Sequence, residues 1–205
     1  MKKMMILAVL FIASAPVFAQ FTYGVKGGLN LSSLSKMKTL GGDDSKMKAS
    51  VYFGAFAEYQ ISDYVGISPE IVYSRQGFAA KNDGVIIGQD VRATELKAKY
   101  RFNYLDVPVL VKLYVADGLS VDLGPQFGFL LNAKYYAKSG STKVKEKLSG
   151  VKGFDMSLAM GLTYDISRFF VQGRYNLGLS NVIKKGESKD KHRNNVVQLG
   201  VGYRF

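Results

Sequence analysis

Ten ionisable residues recur on one parity of an alternating pattern: Lys26, Glu58, Glu70, Asp106, Lys112, Asp122, Asp155, Asp165, Arg174 and Arg204. Two chemistries are open to such a set. Two of its carboxylates could share acid–base work, or the charges could line a narrow conduit. The structural reading is that opposite charges pair and hydrogen-bond to fill a closed interior, because an unpaired buried charge is expensive. A nucleophile is harder to find. The one histidine, His192, stands beside Asp190 with Ser180 and Ser188 close in sequence. Its surroundings are Lys184, Lys185, Lys189, Lys191 and Arg193, a composition that usually means a solvated loop. Nothing in that spacing sets a base against a nucleophile. Cysteine is absent, which excludes disulfides, thiolate metal sites and a cysteine nucleophile. No metal-ligand spacing and no phosphate- or dinucleotide-binding glycine motif is present. Gly24, Gly27 and Gly28 are too closely set for one and fall inside a strand. No catalytic, cofactor-binding or metal-ligating residue is therefore assigned, and the ten ionisable residues are assigned to a polar core.

The elements that carry these residues are strands. In the last stretch, 194–205, Val197, Leu199, Val201, Tyr203 and Phe205 share one parity, while Gln198, Gly200, Gly202 and Arg204 share the other. A period of two makes one face apolar and the other polar or small. The same period predicts strands over 21–31, 50–61, 64–77, 100–114, 119–135, 152–166 and 169–179. Pro69 should bring a bulge or a local loss of pairing, because proline cannot donate to a ladder. Phe102 and Tyr104 have the parity of the charged face, which predicts a bulge or register break near Tyr104. The connections alternate strictly. Polar loops are expected at 34–47, 78–99, 136–150 and 180–193, and tight turns at Ser62-Asp63, Ala116-Asp117-Gly118 and Ser167-Arg168. Strands of roughly 9–11 residues cross a bilayer at a tilt, and outer-membrane barrels combine short periplasmic turns with long outer loops. A soluble barrel would put its apolar face inside, yet here glycines and charges share the face that must be the lumen. The expectation is an eight-stranded antiparallel up-and-down transmembrane β-barrel over 20–205. An eight-stranded barrel is just wide enough for side chains to fill it, which favours the polar core over a conduit.

The first residues read as a leader. Lys2 and Lys3 precede a short apolar run, Met4 to Ala15, and Val17-Phe18-Ala19 resembles a cleavage site. Residues 1–19 are expected to be a signal peptide, and no later apolar run is long enough for a membrane helix. The formal net charge is +12, and the lysines gather in the predicted loops: Lys36, Lys38, Lys46 and Lys48, then Lys81, Arg92, Lys97 and Lys99, then Lys138, Lys143, Lys145 and Lys147, with Lys152 next to them. Tyr100, Tyr135 and Tyr136 are expected at a strand–loop border, as an aromatic girdle. Cations above a membrane edge suit the phosphates of outer-membrane lipid and lipopolysaccharide, or acidic surface glycans and proteins. Nucleic acid fits the charge but not the leader or the lipid-facing strands.

The opening FTYGVKGGLNLSSL (21–34), the segment NYLDVPVLVKLY (103–114) and the ending VGYRF (201–205) resemble the small outer-membrane β-barrel family of Bacteroidetes, the PorT-like barrels, similar in architecture to OmpA and OmpX. The resemblance implies a Gram-negative outer membrane, no common catalytic residues, and a role for the C-terminal aromatics Tyr203 and Phe205 as a signal to the barrel-assembly machinery. The reading is a non-enzymatic barrel with a structural or surface-interaction role. The alternatives are a small solute pore and, further off, a lipid-modifying enzyme. With short turns facing the periplasm, a cysteine placed at Asp117 should resist membrane-impermeant reagents in intact cells, while cysteines at Asp43, Asp90, Ser141 and Glu187 should react. Labelling at position 117 would reverse the orientation.

Overall fold

The computed structural model describes residues 21–35, 45–82, 96–139, 142–147, 151–180 and 193–205. Ten strands are present among them: β1 (Phe21–Ser35), β2 (Ser45–Gln60), β3 (Val65–Gln76), β4 (Phe78–Asn82), β5 (Leu96–Ala116), β6 (Leu119–Ser139), β7 (Thr142–Lys147), β8 (Phe154–Ile166), β9 (Phe169–Gly178) and β10 (Arg193–Arg204). Eight of them form a closed antiparallel circuit, β1–β2–β3–β5–β6–β8–β9–β10 and back to β1. The short β4 follows β3 and pairs with β2 and β5, and the short β7 pairs with β6. The expected eight-stranded all-β barrel is thus the observed fold. The signal-peptide region 1–19, His192 and, with it, Lys184, Lys185, Ser188, Lys189, Asp190 and Lys191 lie outside the described residues.

Burial follows parity around the wall. On β3 the pattern alternates strictly from Val65 to Gln76. Large apolar side chains cover the outside, with Phe53, Ile71 and Val201 each 60% exposed or more. Water would penalise so continuous an apolar exterior, whereas lipid is its natural medium. The inside holds the charges, and its packing depends on size compensation. The Tyr52 ring reaches across to Gly200, Phe56 packs where Gly24 lacks a side chain, and Phe170 does the same at Gly202. A Cβ at any of the three would collide with the facing ring.

The two predicted irregularities are resolved. Pro69 interrupts the β2–β3 ladder, with no pairs between Phe56↔Glu70 and Tyr59↔Ile67, but the register continues unchanged on either side. The outcome is lost pairing and no bulge. Pro108 and Pro125 fall in equivalent gaps of the β3–β5 and β5–β6 ladders. Near Tyr104 there is a register shift, but the extra residue is on the partner strand: Asn103 pairs with Asn132 and Tyr104 with Leu130, so Leu131 bulges from β6. Phe102 and Tyr104 therefore stay inside with the parity of Asp106, at 5% and 1% exposure. The shift also corrects β6 beyond the bulge. Ala133 takes the buried position, and Asn132 and Lys134, which unbroken alternation from Asp122 would put on the lumen face, are only half-buried.

The long connections are shorter than the sequence suggested. Strands occupy 45–47, 78–82, 96–99, 136–139 and 142–147, all of which were expected to be loop. Tyr100 and Tyr135 are a cross-strand pair within the β5–β6 ladder, not at its end. β5 and β6 each run for 21 residues, about twice a bilayer crossing. At the opposite end the expected turns are tight. Gly118 adopts φ 73°, a left-handed conformation that glycine takes without a Cβ clash, and Ser167 is held at φ 59°.

Leu158 and Ser157 test the assignment of faces. Leu158 pairs with Pro125 and Leu177 at outward positions, and Ser157 is 5% exposed inside. Leu158→Arg should destabilise the barrel in lipid by about 2–4 kcal/mol. Ser157→Arg escapes that lipid cost and pays only in crowding. Equilibrium unfolding of both variants in lipid checks the pair, and full tolerance of Leu158→Arg would mean that β8 does not face lipid there.

Candidate functional site

Among the described residues, oppositely charged side chains converge in the lumen. Its centre is Glu70 on β3. Arg174 of β9 grips that carboxylate with both terminal nitrogens, Nη1 donating to Oε2 at 2.8 Å and Nη2 to Oε1 at 2.9 Å. Lys26 of β1 donates to the same Oε2 at 2.6 Å. The two-pronged geometry is the strong form of a guanidinium–carboxylate bond. Lys26 also donates to Gln172 Oε1 at 3.2 Å, and Gln172 passes the network on through Nε2 to Asp122 Oδ2 at 2.9 Å. Thr163 donates to that oxygen at 2.7 Å. Lys112 then lies 3.2 Å from Asp122 and 3.6 Å from Glu58. Glu58 accepts from the Tyr114 hydroxyl at 2.7 Å and pairs with Arg204 at 3.3 Å, and Arg204 closes the run on Asp165.

The structure therefore brings together eight of the ten sequence-chosen residues in one continuous chain. Every one of the eight staves contributes a side chain to it: Lys26, Glu58, Glu70, Lys112, Asp122, Asp165, Arg174 and Arg204 come from β1, β2, β3, β5, β6, β8, β9 and β10 respectively. Its charges balance, with Lys26, Lys112, Arg174 and Arg204 against Glu58, Glu70, Asp122 and Asp165. Arg204 also stacks over Phe170, 4.9 Å from the ring centroid, which joins the ionic run to the aromatic packing. Asp106 and Asp155 stand apart from this chain, towards the end away from the termini. Asp106 accepts from Gln76 Nε2 at 3.3 Å. Asp155 accepts from the Met156 backbone N–H at 3.0 Å and from the Ser180 hydroxyl. Next to them is a neutral polar layer, in which Gln198 donates to Asn30 at 2.9 Å and Asn30 to Ser74 at 3.0 Å.

Gln172, Thr163, Tyr114, Asn30 and Gln198 were not singled out from sequence. Their signal was the same inward parity, which a search for charge alone overlooks. Chemically the arrangement neutralises and fills. Two of the carboxylates, Glu58 and Glu70, are each held by an arginine. Among the described residues no group of three or more His, Asp or Glu could hold a metal ion.

Tyr203 and Phe205 occupy the rim at the end that carries the tight turns. Rings there run in contact from Phe169 to Tyr203 (5.1 Å between centroids), to Phe205 (5.4 Å) and to Tyr23 (5.4 Å). The Phe205 N–H donates to the Tyr23 carbonyl at 3.0 Å, which carries the β1–β10 seam to the last residue.

The sequence profile of the family described as outer membrane protein beta-barrel domain matches residues 15–184. The chain belongs to that family. No curated protein matches it. Among solved structures, the fold is similar to Ail, the attachment invasion locus protein of Yersinia pestis, at 13% identity and a TM-score of 0.51, covering 91% of this chain and 99% of that one. Neisserial surface protein A aligns at 12% identity and a TM-score of 0.47, over 90% of this chain and 97% of that one. The outer-membrane protease OmpT of Escherichia coli aligns at 9% identity and a TM-score of 0.46, over 91% and 95%. Likeness at these identities concerns the fold alone, and a shared fold does not carry a function with it.

The pairing at Glu70 gives a direct test. Glu70→Gln would leave Lys26 and Arg174 buried beside each other without their shared counter-charge, and should cost about 3–5 kcal/mol of unfolding free energy. Combining it with Arg174→Met should cost clearly less than the two single changes added together. Denaturant titrations of the four proteins of that cycle check it, and strict additivity would mean the two groups are not coupled.

Proposed function

We propose that this chain is a non-enzymatic integral barrel of a Gram-negative outer membrane, with a structural or surface-interaction role. The observation that carries the proposal is the charge-balanced network that crosses the lumen from all eight staves. A conduit needs sites that a solute can enter and leave, and here each central charge is already matched by another side chain. The same pairing supports the non-enzymatic reading, since a general base must be free to take a proton. Under this proposal residues 1–19 are a leader removed on export, and the mature chain starts at Gln20. The rim aromatics Tyr203 and Phe205 serve recognition by the assembly machinery. Kinship with the PorT-like barrels of Bacteroidetes belongs to the same proposal. The cations outside the lumen meet the acidic outer layer, namely lipopolysaccharide phosphates or acidic surface glycans and proteins.

Conductance decides between this reading and a solute pore. Purified protein in planar bilayers should be nearly silent at all holding potentials. Steady, large open-channel currents would replace the plugged core with a pore.

A further inference from the structure

The strands that rise beyond the barrel order their charges in an unusual way. β4, β5, β6 and β7 lie side by side, and their registers place Lys81 opposite Lys97, Lys97 opposite Lys138, and Lys138 opposite Lys143. One row across four strands is thus lysine at every position. Two residues along, the row of the same parity is Ala79, Lys99, Tyr136 and Lys145. Two further along, Arg101, Lys134 and Lys147 form the next. The intervening rows contrast with these: Ala80, Ala98, Ala137 and Val144 make one, and Tyr100, Tyr135 and Glu146 another. Positive charge is therefore sorted onto rows of a single parity.

The row nearest the barrel identifies that face. Arg101 and Lys134 are half-buried, while their chain neighbours Phe102 and Ala133 are buried inside at 5% exposure each. Arg101 lies 5.0 Å from the centre of the Tyr136 ring. By register the lysine rows share the parity of Arg101 and Lys134, which is also that of Leu105 and Val107 on the β5 wall below them. Like charges directly opposite each other on neighbouring strands are destabilising. A sheet that repeats this three times in one row needs an anion to offset it. The apolar band of the wall ends just beneath these rows, so the layer they meet is that of the lipid headgroups.

We infer that the outward face of the β4–β5–β6–β7 sheet binds the phosphate groups of the outer-leaflet lipid in which the barrel sits. This inference rests on the outer-membrane placement proposed above, and assigns its surface cations a site and a ligand. The lysine row spans four strands, roughly 15 Å at the usual strand spacing, enough to meet two phosphates of one phosphorylated glycolipid. The aromatic ring of Tyr136 among the cations suits the same interfacial depth.

The test uses the full-length protein and three changes made together, Lys97→Gln, Lys138→Gln and Lys143→Gln. The control removes an equal charge from outside the sequence of these four strands, Lys184→Gln, Lys185→Gln and Lys189→Gln. Binding of bisphosphorylated lipid A, and of its dephosphorylated form, is measured in phosphatidylcholine nanodiscs. At an anionic lipid surface each lysine contributes about a fivefold factor, so the sheet variant should lose on the order of a hundredfold for the phosphorylated form alone. The control should stay close to the parent. In zwitterionic detergent, with no anion present, the sheet variant should unfold no earlier than the parent, because repulsion has been relieved. Equal loss in both variants would overturn the sheet as the site while leaving a generally cationic surface. No loss in either would overturn the site and the surface-cation reading together. Capture of a soluble sulfated oligosaccharide through the lysine row, without binding of lipid A, would overturn lipid as the occupant. Marked destabilisation of the sheet variant in detergent would overturn the proposal too, since the row would then be stabilising the protein itself.

Discussion

Inside a bilayer every backbone N–H and C=O must find a partner within the protein, because lipid offers none. The ladder between β1 and β10 meets that demand, running from Gly24↔Arg204 to Ser35↔Arg193 and joining the two ends of the chain. With that seam closed, the circuit has no free edge. The wall tolerates interruption at Pro69, Pro108 and Pro125, where pairing lapses on one side while the register continues on both. Those lapses fall in three consecutive ladders, β2–β3, β3–β5 and β5–β6, so the seam and the β8–β9–β10 side keep continuous ladders.

Closure at eight staves sets the space inside, and the contents follow from that space. A small lumen has room for a large side chain only where its opposite number is absent. The pairings of Tyr52 with Gly200, Phe56 with Gly24 and Phe170 with Gly202 meet this condition. The remaining volume takes charges that would be costly alone. Four cations and four carboxylates in one chain of contacts cancel locally, so the burial penalty of each is offset by a neighbour at hydrogen-bond distance. The bonds link strands that are far apart in sequence, such as Arg174 and Glu70, 104 residues apart, and they tie opposite walls together. The excess positive charge of the chain therefore resides outside this balanced network. Part of it is gathered on the β4–β7 extension, where the wall leaves the apolar band.

The alternation of residue types carried much of this by itself. A period of two assigns each residue to a face, so the strands, their antiparallel order, the tight turns near Asp63, Asp117 and Arg168, and the choice of Lys26, Glu70 and Arg174 as inward residues could all be read directly. The positions of disturbance could be read as well: Pro69 and Tyr104 each mark a real irregularity. Their form could not. Whether a proline produces a bulge or a gap, and which strand of a pair carries the extra residue, depends on the partner ladder. At Tyr104 the partner Leu131 absorbs it.

Tertiary structure decided the rest, for two physical reasons. Parity states which way a side chain points but not what faces it across the lumen, which depends on the stagger of closed ladders. The network of Glu70, Lys26, Gln172 and Asp122, and the neutral bridges it needs, exists through that stagger. The ends of the strands were hidden for the second reason. In 96–99 lysines alternate with Leu96 and Ala98, and in 142–147 with Thr142, Val144 and Glu146, and charge density there reads as solvation and hence as loop. Those segments are strands because a neighbouring strand takes up their backbone hydrogen bonds, a stabilisation that leaves no mark on hydropathy.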